Sequence, residues 1–429
     1  MVSKQTPFQF KRKNRAKPNK FWLAALIAGS LLLGSGGVLL INPPGAVPLP
    51  SIPGWVYIAL MLGPGVVLTA MGYHKLRELL SASDGPSTER PAFDMFYNKE
   101  LTKKQGPAVV AIGGGTGLPS VLRGMKRYTD NLTAIVTVAD NGGSSGRLRR
   151  DLGILPPGDL RNNIAALAND EDLMTQLFQY RFSAGDLDGH SFGNLFLTAL
   201  SDITGSMERA LQETERVLAV QGSVLPATLD DITLIGEIRH PESSGLRAIT
   251  GEAEITDAPG SIERVSLTPP TARAYPRSVQ AILSADLIVI GPGSLYTSIL
   301  PTLLIKGITE AIRASNALCV YVCNVATQPG ETDGFDVTDH ILALEDHVGY
   351  NLFQIVLANN HFPTEKAGPG GQYVMPVPEG HEVTERYRIV YADLTDLQYP
   401  WRHDPGKLAR ALQDSYANYQ ANLVQHEVA

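Results

Sequence analysis

Short apolar runs rich in valine and isoleucine recur after Pro107, and they constrain the fold of this chain more than any other feature. The runs are AVVAI, LTAIVTV, DLIVI, LCVYVCNV and FQIVLA, and helix-like stretches separate them. Strands without polar alternation suit a parallel sheet that is covered on both faces. The pattern therefore predicts a doubly wound α/β domain over residues 107–429. Residues 221–270 alternate in polarity and contain turn signals, which predicts an antiparallel excursion.

Polar, glycine-rich loops follow four of these predicted strands. Because the carboxyl ends of parallel strands meet at one edge of a sheet, the loops predict a single ligand site there. The predicted binding residues are Gly113, Gly114, Gly115, Thr116 and Gly117 in the first loop; Asp140, Asn141, Gly142, Gly143, Ser144, Ser145 and Arg147 in the second, with Asn162 after it; Gly291, Gly293, Ser294, Tyr296 and Thr297 in the third; and Asn324 and Thr327 in the fourth.

The first loop, GGGTG, runs from a strand into a helix whose first turn holds Pro119, a position that tolerates the missing N–H. Glycines let backbone amides approach a phosphate, and the helix N-terminus favours an anion. No Gly-Lys-Ser/Thr follows, so this is not a Walker A loop, and the spacing also misses Gly-x-Gly-x-x-Gly. A tight turn without a ligand is the alternative explanation.

The second loop, ADNGGSSGRLRR, combines a carboxylate with glycines, hydroxyls and arginines. Guanidinium groups suit phosphate oxygens, and Asp140 at a strand end suits a ribose hydroxyl or a metal ion. A solvated, charged helix start is the alternative, and it fits Arg149 and Arg150 better than Arg147. Tyr296 in the third loop could stack on a base or a sugar.

Three further residues have both a functional and a structural interpretation. His190 and Asn194, in GHSFGN, are predicted to join the site, although a single histidine is more often a hydrogen-bonded structural residue. Arg402, in YPWRHDP, either reaches an anionic ligand or helps to close the fold. Cys319 and Cys323 are interpreted as buried free thiols, since positions i and i+4 of one strand lie about 13 Å apart.

The N-terminal part of the chain has a different composition. Residues 1–20 are basic, and residues 21–74 contain no Asp, Glu, Lys or Arg. Two apolar runs of about 21 residues, roughly 30 Å as helices, match the thickness of a bilayer. We therefore expect a basic cytoplasmic tail at 1–20, a transmembrane helical hairpin at 21–73 with both ends cytoplasmic, and a linker at 74–106. A signal peptide followed by a buried helix is the alternative.

The net charge argues against nucleic acid as a partner. The whole chain carries −7, and the seven cations of residues 1–20 leave about −14 on the rest. Binding to phosphate backbones needs a basic face, so we expect no nucleic-acid partner.

The motifs AIGGGTGLPS, VTVADNGGSSGRLR, PPGDLRNN, GHSFGN, GPGSLYTSILP, CNVATQPGETDG and RHDP occur in this order over residues 107–412. Together they resemble the gluconeogenesis factor family, the YvcK-like branch of the CofD-like 2-phospho-L-lactate transferase superfamily. The resemblance implies a Rossmann-like domain that binds UDP-N-acetylglucosamine or a related nucleotide. It also implies a regulator, without established turnover, that links gluconeogenic growth to cell-envelope precursor synthesis and cell shape.

The resemblance leaves an enzymatic alternative open. The transferases of the superfamily move a phospholactyl group with a magnesium ion held by aspartates. Relatives commonly carry paired aspartates where this chain has Asp140 and Asn141, so Asp140 and Asp159 are the remaining candidate ligands for Mg²⁺. A nicotinamide-dependent oxidoreductase is a third hypothesis, and no residue stands out as its hydride-transfer partner.

The leading hypothesis is a membrane-tethered, UDP-sugar-binding regulator that requires no cofactor. Its expected partners are a UDP-sugar, the membrane through residues 21–73, and a regulatory protein of envelope precursor synthesis.

Overall fold

The computed structural model describes most of the chain beyond residue 105. The described residues are 62–64, 66, 67, 69, 71, 106–168, 173–240, 245–364 and 367–428. The chain divides into two compact units, Met1–Thr102 and Lys103–Ala429. The predicted tail, membrane hairpin and linker lie almost entirely outside the described residues. Among the residues that the structure describes, no helix is both long enough and apolar enough to cross a bilayer.

The apolar runs form the predicted parallel sheet of the second unit. Its order is β10-β9-β8-β7-β1-β2-β3, and every neighbouring pair is parallel. All residues of β1, β7, β8 and β9 are buried, so both faces of these strands are covered. The strands are β1 Val109–Gly113, β2 Leu132–Val136, β3 Ser223–Pro226, β4 Thr233–Arg239, β5 Leu246–Thr250, β6 Ser261–Thr268, β7 Leu287–Ile290, β8 Leu318–Val322, β9 Ile355–Asn359 and β10 Arg388–Ala392.

Helices connect the strands, and several begin at signals that the sequence carries. Proline occupies the first turn of α1, α3 and α8, where its missing N–H costs nothing. The helices are α1 Leu118–Met125, α2 Gly143–Leu152, α3 Pro157–Leu167, α4 Leu173–Gln179, α5 Phe192–Thr204, α6 Met207–Val217, α7 Glu252–Thr256, α8 Pro276–Leu283, α9 Leu300–Leu303, α10 Lys306–Ala314, α11 Val337–Val348, α12 Val383–Arg386 and α13 Pro405–Val428, with a 3₁₀ turn at Gly185–Leu187 and a π-helix at Leu295–Ile299.

The antiparallel excursion exists but is shorter than predicted. Strands β4, β5 and β6 form a separate sheet of order β5-β4-β6, with α7 between β5 and β6. Burial alternates along β4, as expected for a sheet with one covered face. Residues Ser223–Pro226, which the sequence placed in this excursion, instead pair with β2 in parallel and lie at the edge of the main sheet. The sequence therefore predicts a main sheet that lacks two of its strands, β3 and β10.

The two cysteines are confirmed as free, buried thiols. Cys319 lies in β8 and Cys323 directly follows it. Burial raises the pKa of the Cys323 thiol to about 12, so neither redox chemistry nor metal binding is favoured there.

Candidate functional site

The predicted site lies where the strand order of the main sheet changes direction. Strand β1 pairs with β2 on one side and with β7 on the other, although β7 follows much later in the chain. In such sheets the loops after the central strands diverge and leave a crevice for a ligand. The loops after β1, β2, β7 and β8 all lie at this edge, which confirms the predicted placement of the strands that precede them.

The glycines of the first loop are required because other loops approach them closely. A Cβ atom at Gly114 would lie 2.5 Å from Thr137 Cγ2 and 2.6 Å from Asp159 Oδ2. At Gly117 it would lie 2.5 Å from the carbonyl oxygen of Pro292, in the third loop. Gly115 has φ +62° and donates its N–H to Asp159 Oδ2 at 2.8 Å. Because the first loop has no side chains at these positions, its backbone packs directly against Thr137, Asp159 and the third loop. Thr116 is exposed to solvent.

The second loop leads into a helix start that no side chain caps. Gly142 is the N-cap of α2, and the Asp140 carboxylate accepts the Gly142 N–H at 2.8 Å. Gly143 has φ +47° and open space around its Cα, while Ser144 and Ser145 are buried. The first amides of an uncapped helix are available to a bound anion.

Asn141 joins this loop to α7, the helix between β5 and β6. Its Oδ1 accepts the N–H of Ala253 at 2.9 Å, and its Nδ2 donates to Glu254 Oε2 at 2.7 Å. The N-cap of α7 is Gly251, which has no side chain to cap the helix, so Asn141 serves as its cap from a distant loop. This contact gives Asn141 a structural role in addition to the ligand-binding role that the sequence suggests.

Carboxyl groups gather on this side of the crevice. A Cβ atom at Gly142 would lie 3.6 Å from Asp140 Oδ1 and 3.9 Å from Glu252 Oε2, so these two carboxyl groups are neighbours. Burial, reinforced by Asp140 and Asp159, raises the pKa of Glu252 to about 8. Burial also raises the pKa of Asp159 to about 6, against the lowering effect of the Gly115 N–H.

Glu252 and Glu331 are site residues that sequence reasoning missed. Glu252 belongs to α7, far along the chain, and nothing in its local sequence distinguishes it from a solvated glutamate. In the described part of the chain no three His, Cys, Asp or Glu side chains are placed to hold a metal ion together. Mg²⁺ at Asp140 and Asp159 would therefore need ligand phosphates or water to complete its coordination.

The third and fourth loops are joined by a polar network. Asn324 Oδ1 accepts the Gly293 N–H at 3.2 Å, and its Nδ2 donates to the Gly293 carbonyl at 2.9 Å. Thr297 Oγ1, in the π-helix, donates to the buried Glu331 at 2.9 Å. Burial raises the pKa of Glu331 to about 7, whereas the Thr297 hydroxyl lowers it. Ser294 Oγ donates to Gln328 Oε1 at 2.7 Å.

Three predicted site residues make contacts within the protein. Tyr296 is 3% exposed, and its ring packs edge-on against Phe335, so stacking on a ligand stays a prediction. Thr327 Oγ1 accepts the N–H of Gln372 at 3.0 Å. Arg402 is exposed, with its guanidinium 5.4 Å from the centre of the Tyr399 ring. Gly291, with φ +76°, directly follows β7.

His190 and Asn194, from GHSFGN, form hydrogen bonds with the second loop, and their contact with a ligand stays a prediction. His190 Nδ1 lies 3.0 Å from Ser144 Oγ, which also accepts from Asn194 Nδ2 at 3.0 Å. Burial and the neighbouring Arg147 lower the pKa of His190. Asn162 accepts a hydrogen bond from Arg161 Nη2.

Comparison with known proteins gives this arrangement a family context. The sequence pattern of the family described as "2-phospho-L-lactate transferase CofD" matches residues 109–381. The gluconeogenesis factor of Bacillus subtilis is 41% identical over 75% of this chain and 95% of its own length. The gluconeogenesis factor of Halalkalibacterium halodurans is 51% identical over 58% of this chain and 77% of its own.

Two further comparisons bear on the extent of the match. A relative from Nostoc sp. is 44% identical over 92% of this chain and 84% of its own length, so part of the N-terminal unit aligns with it. The crystal structure of a UPF0052 family member from Bacillus halodurans is 43% identical, with a TM-score of 0.68. It covers 72% of this chain and 99% of its own.

Proposed function

This chain belongs to the CofD family, in its gluconeogenesis factor branch, and from that premise we propose that it is a UDP-sugar-binding regulator of carbon metabolism. UDP-N-acetylglucosamine is the ligand we propose, and the regulated process is the supply of cell-envelope precursors. The observation that carries the proposal is the convergence of the phosphate-compatible loops at the switch point of the sheet.

The chemistry of the crevice matches the parts of such a ligand. The amides of residues 113–117 and of the start of α2 suit a diphosphate. Carboxyl groups of Asp140, Asp159 and Glu252 suit the hydroxyl groups of a ribose or a sugar, which donate hydrogen bonds to them. A nucleotide sugar has both kinds of group, so it can satisfy both sides of the crevice.

Calorimetric titration of the purified full-length chain with UDP-N-acetylglucosamine, followed by analysis of the recovered ligand, tests this proposal. We expect saturable binding and an intact ligand. Gly115→Asp should abolish binding, because it places a carboxylate in the anion-binding loop, next to the carboxyl group of Asp159 in α3. This negative charge would repel the phosphates of the ligand. Gly245→Asp adds the same charge at an exposed glycine with open space around it, and should bind normally. Absence of any uridine nucleotide binding would reject the proposal.

A transferase is the second candidate function, and the CofD family match favours it. In that case Asp140 and Asp159 would hold Mg²⁺ together with ligand phosphates. Steady release of a nucleoside monophosphate or diphosphate with Mg²⁺, lost in Asp140→Ala, would support this activity. Binding without turnover would favour the regulator.

The proposed location of the domain is the cytoplasmic face of the plasma membrane, where residues 21–73 would anchor it. A protein of envelope precursor synthesis is the proposed partner.

A further inference from the structure

A group of basic side chains lies beside the second loop, on the side of α2 that bears Ser144. Arg147 Nη2 donates to the Asp188 carbonyl at 2.8 Å, and Arg181 donates to the Gly189 carbonyl. Arg147 and Arg181 both lower the pKa of His190, so these groups are close to one another. Within the described part of the chain, none of Arg147, Arg161 and Arg181 forms an ion pair.

Arg161 is the unusual member of this group. It is only 9% exposed, and its buried Nε has no hydrogen-bond partner. In the described part of the chain its guanidinium donates one hydrogen bond, to the neighbouring Asn162. Burial and the nearby positive charge of Arg181 lower the pKa of Arg161. The negative charges of Asp159 and Asp140 raise this pKa in part, although neither carboxylate pairs with Arg161. A buried guanidinium with a free donor is costly unless a ligand completes its hydrogen bonds.

Two helix N-termini add positive potential at the same place. Helix α2, of 10 residues, begins without a side-chain cap next to Ser144. Helix α5, of 13 residues, begins at Phe192, and a Cβ atom at Gly193 would lie 2.9 Å from Arg161 Cδ. The Arg161 side chain therefore crosses the first turn of α5, where the helix dipole repels a cation and attracts an anion.

The polar groups between these charges indicate which anion would fit. Ser144 Oγ and Asn194 Nδ2 bond to each other, while Asn194 Oδ1 is buried without a partner. A free acceptor among basic groups favours an anion that also carries a hydroxyl proton. Hydrogen phosphate and singly protonated phosphate monoesters meet this requirement, and sulfate does not.

We propose that Arg147, Arg161, Arg181 and His190, with Ser144 and Asn194, form a phosphate subsite distinct from the Gly113–Gly117 loop. The inference rests on the proposed function only in assigning the diphosphate of the nucleotide sugar to the amides of that loop and of the start of α2. The phosphate bound here comes either from a separate phosphorylated metabolite or from the nucleotide ligand itself.

The test is calorimetric titration of the full-length chain with inorganic phosphate near neutral pH. We expect saturable binding, and at least about tenfold weaker binding of sulfate. Arg161→Gln should weaken phosphate binding at least about tenfold, while Arg161→Lys restores part of it. The control is Arg216→Gln, because Arg216 is exposed on α6 and pairs with Glu213.

Titration of UDP-N-acetylglucosamine with phosphate present identifies the source. Simultaneous binding indicates a separate metabolite, and competition indicates a phosphate of the nucleotide. If Arg161→Gln does not fold, Arg181→Gln takes its place, since Arg181 is exposed.

No phosphate binding, equal binding of sulfate, or equal affinity in the Arg161→Gln and Arg216→Gln variants would overturn the inference. The UDP-sugar titration without phosphate is independent of it. Binding of UDP-sugar without binding of phosphate would reject only the phosphate subsite. Binding of phosphate without binding of UDP-sugar would reject only the proposed function.

Discussion

Gly114, in the first loop, leaves too little room for a side chain. Its missing Cβ allows contact with Thr137 and with the Asp159 carboxyl, both within 2.6 Å of the Cβ position. We expect Gly114→Ala to destabilise the domain by about 1–3 kcal/mol, because Thr137 and Asp159 must move. UDP-sugar affinity should fall at least about tenfold as the Gly115 amide shifts with Asp159.

Urea unfolding and ligand titration measure the two effects of Gly114→Ala. Gly245→Ala is the matched control, because Gly245 has no atom within 4 Å of its Cβ position. Equal stability and affinity in both variants would show that the first loop tolerates a side chain.

The carboxyl groups of the crevice make stability depend on pH with an unusual sign. The pKa of Glu252 is raised from 4.5 to about 8 in the folded protein. Its contribution to stability is therefore fully present below 4.5 and is lost as the pH rises through about 8. We expect Glu252→Gln to remove part of the loss of stability between pH about 5 and pH about 9.

Glu254, on the same helix, is the control for Glu252. Its pKa is lowered, chiefly by the hydrogen bond from Asn141, so its contribution is lost as the pH falls. Glu254→Gln should therefore leave the alkaline side of the stability curve unchanged. Urea unfolding across this pH range distinguishes the variants. If the free energy of unfolding changed with pH equally in the wild type and in Glu252→Gln, the result would contradict the burial of Glu252.

Single residues also show where sequence reasoning stops. The glycines of the first loop were predictable, because a strand that runs through four glycines into a proline-started helix has few structural solutions. Glu252 was not, because its importance comes from a contact between α7 and the loop after β2. A long-range contact leaves no local pattern of residue types, and single-sequence reasoning detects only such patterns.

At the level of elements, helix α7 depends on a residue from another part of the chain. Asn141 caps it and bonds to Glu254, so loss of the side chain removes both contacts. We expect Asn141→Ala to cost about 1 kcal/mol. The loss should appear locally as about fivefold faster hydrogen exchange in β5 and α7.

Hydrogen exchange followed by mass spectrometry tests this dependence on Asn141. Asn360→Ala serves as the control, because Asn360 is exposed and its hydrogen bond to the Ala392 carbonyl comes from the backbone N–H, which the substitution keeps. Unchanged exchange in α7 would mean that its packing on β4 and β5 holds it in place without Asn141.

The strands show the same division between local and distant causes. Five central strands were predictable, since burial on both faces requires runs without polar residues. Strands β3 and β10 are edge strands, and β10 has exposed or half-buried residues throughout. An edge strand needs no continuous apolar run, so RIVYA gave no clear signal and SVLP was assigned to the neighbouring antiparallel part.

For the molecule as a whole, the strand order explains why residues far apart in sequence form one crevice. Strand β1 separates the half that carries β2 and β3 from the half that carries β7 to β10. The first half supplies the second loop and the basic groups near Ser144, and the second half supplies the Asn324 and Glu331 network. A ligand that spans both halves would therefore stabilise the domain as a whole.

The two units of the chain predict a separation of anchoring from binding. Residues 21–73 contain no Asp, Glu, Lys or Arg, and we propose that they anchor the chain in a membrane. The crystallised Bacillus halodurans chain matches 72% of this chain over 99% of its own length, so the fold forms there without a counterpart of the remaining residues. We expect Lys103–Ala429 to fold alone and to bind UDP-sugar with the affinity of the full chain.

Membrane fractionation and calorimetry of both forms test this separation. The full chain should sediment with membranes and resist extraction at high salt, because burial of apolar helices does not depend on ionic strength. Lys103–Ala429 should stay in the supernatant with its affinity unchanged. Release of the full chain by salt would indicate attachment through the basic residues 1–20 instead, since screening weakens only electrostatic binding. A full chain found in the supernatant at low salt would remove the anchor from the proposal and leave the nucleotide site to be judged by its binding alone.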